Sequence, residues 1–204
     1  MYTTNKILFF LLYLFLHNDN LMKEYKSLFL FLLKFLGTYV LLILLYNLYL
    51  ENYLPAHNPD PFTAFTSNTT SAVLNFIGFP AESYHIENEP YYRIAINGIS
   101  TSIVNEGCNA LSIMIIFVAF VVAFSTNFRT TFLYIFVGLI FLFLMNIGRI
   151  VLLNWIFRYH PSYGKMAHDY LFPALIYGSI VILWIVWIRF FVMKKNKHNN
   201  EEVA

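Results

Sequence analysis

Long apolar runs separated by short polar ones organise this chain. A helix that crosses a bilayer needs about 20 mostly apolar residues, because each residue rises about 1.5 Å through a hydrocarbon core about 30 Å thick. Four runs are read as spans: residues 27–50, 109–124, 130–157 and 170–193. The second needs about one further turn at either end to reach that length. Lys34, near the start of the first run, can return its charge to the interface along its apolar stem. Pro173 falls in the first turns of the fourth, where a missing N–H costs least. A shorter apolar run, residues 7–16, is followed by "HNDN" and lacks the small-residue cleavage site of a signal peptide. Met22 opens a short basic stub and then a helix, so residues 1–21 are expected to be a start-site artefact or a dispensable extension.

Residues 51–107, between the first two runs, carry two further patterns. "NPDPF" supplies turn chemistry, and apolar Phe62, Phe65, Val73, Phe76 and Ile77 predict a helix lying on the membrane surface. In "YYRIAINGISTSIV", Asn97-Gly98 sits between two runs of β-formers. A tight type I′ turn needs positive φ at both central residues, so this dipeptide predicts a β-hairpin. Its second arm leads directly to Cys108.

Composition makes the membrane reading firm. The chain is 59% hydrophobic and only 12% charged, against roughly 25% charged in a soluble domain. The predicted class is an α-helical integral membrane protein of about four transmembrane helices, with a large extracytoplasmic loop containing the hairpin. Residues 22–193 form a single membrane domain, and residues 194–204 a basic tail. Lys23, Lys26, Arg129, Lys194, Lys195 and Lys197 fall on one side, and only Arg93, Arg158 and Lys165 on the other. The positive-inside rule then puts both termini in the cytoplasm and loops 51–107 and 158–169 outside a cytoplasmic membrane. A net charge of +2 with no long basic run excludes a nucleic-acid partner. The lone cysteine excludes an intrachain disulfide and a multi-cysteine metal site.

Threading the helices through the bilayer brings chemistry into view. The third run enters from inside near Thr130 and reaches the outer face about twenty residues later, at Arg149. Cys108 opens the second run at the outer face, and His168 precedes the fourth. A thiol, a guanidinium and an imidazole therefore share one depth. They suit acyl transfer: the thiol as nucleophile, His168 as base and then acid, Arg149 as oxyanion stabiliser. A helix N-terminus also favours a thiolate. Each residue has a plainer reading. A lone cysteine packs like a small apolar group, a lone histidine anchors an interface, and an arginine snorkels to phosphates. Asn146, one turn inward from Arg149, either orients it or bonds another helix. Glu106 could polarise His168 or clamp Arg149, but reads best as solvated. His160 is a second possible base in an exposed turn, and Asn68-Thr69-Thr70 matches a glycosylation sequon.

At these residues the sequence resembles the exosortase/archaeosortase family. Its Cys-x-x-x-Ser helix start is matched by "EGCNALS" (Cys108, Ser112), and its Asn-x-x-Arg motif by "NIGR" (Asn146, Arg149). The histidine opening its last helix is matched by "HDYLFPALIYG" (His168, Gly178). Ala110 stands where many members have glycine. The larger members have about twice the spans, so the closer resemblance is to the compact exosortase F type of Bacteroidota, over most of residues 22–193. The resemblance implies a membrane transpeptidase with Cys108, Arg149 and His168 as catalytic residues and Asn146, Ser112 and Glu106 in support. Its partners would be secreted proteins ending in a sorting tail of short motif, apolar helix and basic end, together with a lipid or glycolipid acceptor and the surrounding membrane lipids. It would need no metal or organic cofactor. Two other readings stay open: a membrane-edge cysteine protease using water, and a non-enzymatic assembly factor for a secretion or polysaccharide system.

Overall fold

A computed structural model describes residues 19–53, 58–125 and 127–193. Most of the predicted extension, residues 1–18, and the tail after residue 193 lie outside the described residues. Helix α1 is Asp19–Leu50 and helix α2 is Pro61–Phe76. Strands β1 (Ala81–His85), β2 (Tyr92–Ile96) and β3 (Ile99–Val104) follow. Helices α3 (Leu111–Ala123) and α4 (Phe128–Tyr159), the short α5 (Pro161–Met166) and α6 (Phe172–Trp187) complete the chain. π-helical segments Ala167–Leu171 and Ile188–Val192 precede and follow α6.

Three helices are long and apolar enough to cross a membrane: Leu28–Leu50, Phe128–Tyr159 and the continuous run Pro161–Val192. The second predicted span is a shorter apolar helix, α3, of 13 residues. At about 1.5 Å per residue it covers about two-thirds of a hydrocarbon core. The reason lies at its start. Asn109 and Ala110 are drawn into a turn, and Ala110 takes a left-handed φ of 65° that no helix can continue.

Helix α1 exposes Leu28, Leu32, Leu36, Leu41, Leu44 and Leu48 around its circumference. A helix apolar on all sides belongs in lipid rather than water. It leans on α3 through Phe31, whose ring lies against Phe120 and Phe124. The core among α3, α4 and α6 is built from Met114, Phe117, Val121, Leu142, Ile180 and Trp187. A Cβ at Gly138 would overlap the Phe117 ring, so glycine there lets α3 and α4 close.

Helix α2 inverts the usual amphipathic arrangement. Its buried side is Thr63, Thr66, Ser67, Thr70, Ser71 and Leu74, while Phe65 and Phe76 are exposed. The inward polar side chains bond the sheet. Ser71 and Asn75 donate to the Ala81 carbonyl, Asn75 accepts from the Ala81 N–H, and Ser83 donates to Ser67. An outward apolar face is what the predicted surface helix required. Asp60 caps α2, accepting from the Phe62 and Thr63 N–H groups and from the Tyr49 hydroxyl of α1.

The sheet is antiparallel in the order β1-β2-β3. Its predicted hairpin is β2–β3, with φ of 52° at Asn97 and 74° at Gly98. Strand β1, absent from the sequence reading, adds to the other side of β2. The Arg93 guanidinium grips Glu89 at 2.9 and 2.7 Å and holds that carboxyl below its usual range. Such a partly exposed pair braces the β1–β2 connection while contributing little stability. One face of the sheet buries Ile94, Ile96 and Val104 against Leu74 and against Ile150 of α4.

Candidate active site

The turn between β3 and α3 carries Cys108. Its N–H donates to the Asn105 carbonyl at 2.9 Å, and its side chain packs half-buried at the edge of the sheet core. The cysteine thus stands two residues before the cap of α3 rather than opening the helix, as the sequence predicted. Two side chains of α4 hold this turn from below. Asn146, fully buried, donates to the Cys108 carbonyl at 2.9 Å, and Arg149 donates to the same oxygen at 3.4 Å. The Arg149 bond is long and therefore weak. Its guanidinium also interacts with the Cys108 side chain. Asn109, the next residue, is fully buried. Its amide accepts from the Leu111 N–H and donates to the Thr63 hydroxyl, which in turn bonds the Asp60 carboxylate. The turn is fastened from both sides.

His168 comes from the π-helical segment Ala167–Leu171, a winding often found at functional sites. It is exposed, and its Nδ1 pairs with Asp169 Oδ1 at 3.0 Å. With Asp169 taking Nδ1, Nε2 is the nitrogen left to face a substrate. Cys108, Arg149 and His168 all line one cleft of about 910 Å3, between β3 on one side and α4, α5 and the start of α6 on the other. The shared depth inferred from hydropathy is therefore also lateral convergence.

The remaining sequence candidates separate. Asn146 sits directly behind the cysteine turn. Ser112 is exposed on the first turn of α3 and does not line the cleft. Glu106 is half-buried near Tyr46 of α1 and also stays out of it. His160 lies tilted against the Trp155 ring and does not line the cleft. Two residues escaped the sequence reading. Asp169 was visible only as the neighbour of a candidate histidine. Asn154, fully buried in α4, accepts the Thr101 and Ser102 hydroxyls and pins β3 to that helix. The available signal was a second asparagine two turns beyond Asn146 in an otherwise apolar run, which puts both on one helix face.

Ala110 accounts for the departure noted in the motif. A left-handed φ is where glycine is at ease and an L-residue is strained. The turn keeps its shape here because Asn109 on one side and the packed methyl on the other hold it.

Fold and site together define a polytopic membrane protein in which a small extramembrane sheet feeds a cleft bearing a thiol, a guanidinium and an imidazole. The model of the transmembrane exosortase family (Exosortase_EpsH) matches residues 25–191, and the chain belongs to that family. No curated protein and no solved structure matches it. Membership places it in a class of membrane sortase-like peptidases and transpeptidases that act on secreted proteins.

Removing the asparagine amide tests how the turn is held. Asn146→Ala is expected to destabilise the protein by about 1–3 kcal/mol, the cost of a lost buried hydrogen-bond partner. Thermal unfolding in detergent reads this directly, and an unchanged midpoint would show that the Cys108 carbonyl does not depend on Asn146.

Proposed function

We propose that the protein is a cysteine transpeptidase that cleaves the C-terminal sorting tail of secreted proteins at the outer face of the cytoplasmic membrane. The observation that carries the reading is the convergence of Cys108, Arg149 and His168, from three separate segments, on one cleft. The Cys108 thiol passes its proton to His168 Nε2, and its sulfur bonds the scissile carbonyl carbon. Arg149 stabilises the oxyanion of the tetrahedral intermediate. As the C–N bond breaks, His168 returns the proton to the leaving amine, which departs with the tail. The resulting thioester is resolved by a nucleophile on a lipid or glycolipid, whose proton goes to the imidazole and then to the departing thiolate. Cys108 and His168 share the cleft without a direct hydrogen bond between them, and such contacts often tighten only when substrate is seated. Helix α3 is the fourth crossing, and both termini are cytoplasmic.

The decisive experiment traps a covalent adduct on Cys108 and identifies both halves by mass spectrometry. A thioester to the secreted protein followed by a lipid-linked C-terminus supports the reading. A product with only a free carboxylate reassigns the enzyme as a hydrolase, and cleavage without any adduct on Cys108 overturns covalent catalysis.

Two further outcomes follow. Asp169→Asn weakens the hold on His168 Nδ1 and is expected to lower kcat/KM about tenfold, equivalent to about 1.4 kcal/mol. Asp169→Glu should recover part of it, and equal activity in all three proteins would remove the aspartate from the mechanism. Orientation is tested by an impermeant maleimide, since Cys108 is the one cysteine in the chain. Labelling is expected in intact spheroplasts; labelling only after membrane rupture would reverse the topology.

A further inference from the structure

We propose that β3 is the docking strand for the substrate. An extended segment just upstream of the scissile bond adds to its free edge, parallel to it, and is led to Cys108. The direction rests on the sorting-tail reading above; the docking edge rests on geometry.

Strand β3 ends the sheet order, and among the described residues no strand pairs with its outer side. The cleft wall contains residues 100–105 without a break, then Gly107 and Cys108. A strand showing its face to a cleft would present every second residue, because side chains alternate. Six consecutive residues mean that the edge faces the cleft, and with it a row of backbone donors and acceptors. Edge strands are commonly protected by charge, proline or a covering segment. The sequence Ile99–Val104 carries neither charge nor proline, and its open side is the cleft itself.

The hydroxyls of Thr101 and Ser102 are already taken by Asn154. They fix the edge in place and leave recognition to the backbone. The facing wall offers Ile150, Leu153, Phe157 and Phe172 to the side chains of an added strand. The cleft volume of about 910 Å3 lies at the upper end of small-ligand pockets, about 300–1,000 Å3, and admits a peptide segment. From Ser100 to Val104 the edge runs about 13 Å at about 3.3 Å per residue, enough for four or five substrate residues.

The direction follows from the two chains' routes. Strand β3 leaves the hairpin tip at Asn97-Gly98 and runs toward Cys108. A secreted protein halted by its tail also runs from outside the membrane toward the cleavage point. The added strand is therefore parallel, and strand addition gives affinity through main-chain hydrogen bonds with little demand on side-chain identity.

Disulfide trapping tests this without catalysis. In the full-length protein carrying Cys108→Ala, Ser100→Cys or Ile103→Cys places one thiol on the exposed edge. The probe is the C-terminal fragment of a secreted protein from the same organism that ends in an apolar helix and a basic tail. A single cysteine is walked through the five positions before that helix. A disulfide needs Cα atoms roughly 4.4–6.8 Å apart, so trapping reports register. Each edge thiol is expected to favour one probe position, with the Ser100→Cys partner about two residues N-terminal to the Ile103→Cys partner, because the bulge at Thr101 puts both edge residues on one face. The opposite order overturns the parallel direction. Uniform trapping, absent trapping, or disulfides only between two copies of the enzyme overturn strand addition. Ordered trapping of a probe that the wild-type protein never cleaves would count against the transpeptidase reading alone, and wild-type cleavage of the same probe without ordered trapping would count against docking alone.

Discussion

Cys108→Ser is expected to abolish turnover while leaving the protein folded. The loss should be on the order of 10⁴-fold or more, the scale seen when a covalent nucleophile is removed from an intact site. A hydroxyl of nearly the same size replaces the sulfur, but it yields its proton far less readily to an imidazole. The structural cost is small. The side chain lies half-buried at the rim of the Leu74, Ile94 and Ile150 cluster, and the backbone contacts of residue 108 run through its N–H and carbonyl, which the substitution keeps. Single-turnover cleavage and thermal unfolding in detergent check both halves. Wild-type cleavage by the serine variant would remove covalent thiol chemistry from the mechanism.

Arg149→Lys is expected to lower kcat by about 10²–10³-fold, the usual consequence of losing one oxyanion-stabilising donor. The charge survives, but the planar fork does not, and an ammonium cannot bond the Cys108 carbonyl and a developing oxyanion in one fixed geometry. The split between kinetic constants separates roles. An interaction made only in the transition state lowers kcat with KM little changed. A merely structural arginine would show instead as a lower unfolding midpoint; little change is expected, because its resting bond to the Cys108 carbonyl is long and contributes little. A lysine variant with wild-type kcat would end the oxyanion assignment.

Some of this architecture is local and was legible in the sequence. Apolar length predicts Leu28–Leu50, Phe128–Tyr159 and the run ending at Val192 as membrane helices, since bilayer thickness sets a length requirement that a single segment meets alone. Asn97-Gly98 predicts the hairpin because positive φ at two adjacent positions is a property of those residues themselves. Spacing alone predicts one depth for Cys108, Arg149 and His168, and the three do line one cleft. Other features depend on partners. The apolar residues of α2 suggested a surface helix, but only the sheet, bonded by Ser67, Ser71 and Asn75, explains why its polar side is the buried one. Strand β1 has no strong pattern of its own and exists because β2 offers an edge. Helix α3 is shorter than its apolar run because the cysteine turn consumes Asn109 and Ala110.

Hydropathy acts along one axis and each helix answers to it separately, so the apolar runs alone mark out the three helices long and apolar enough to cross a membrane. Packing between distant segments is what brings Cys108, Arg149 and His168 to line one cleft, pairs His168 with Asp169 rather than Glu106, and lets Asn154 hold a bare strand edge along the cleft wall. Position within the membrane plane and rotation about each helix axis are set by packing and hydrogen bonds between segments far apart in the chain, and no local pattern encodes them.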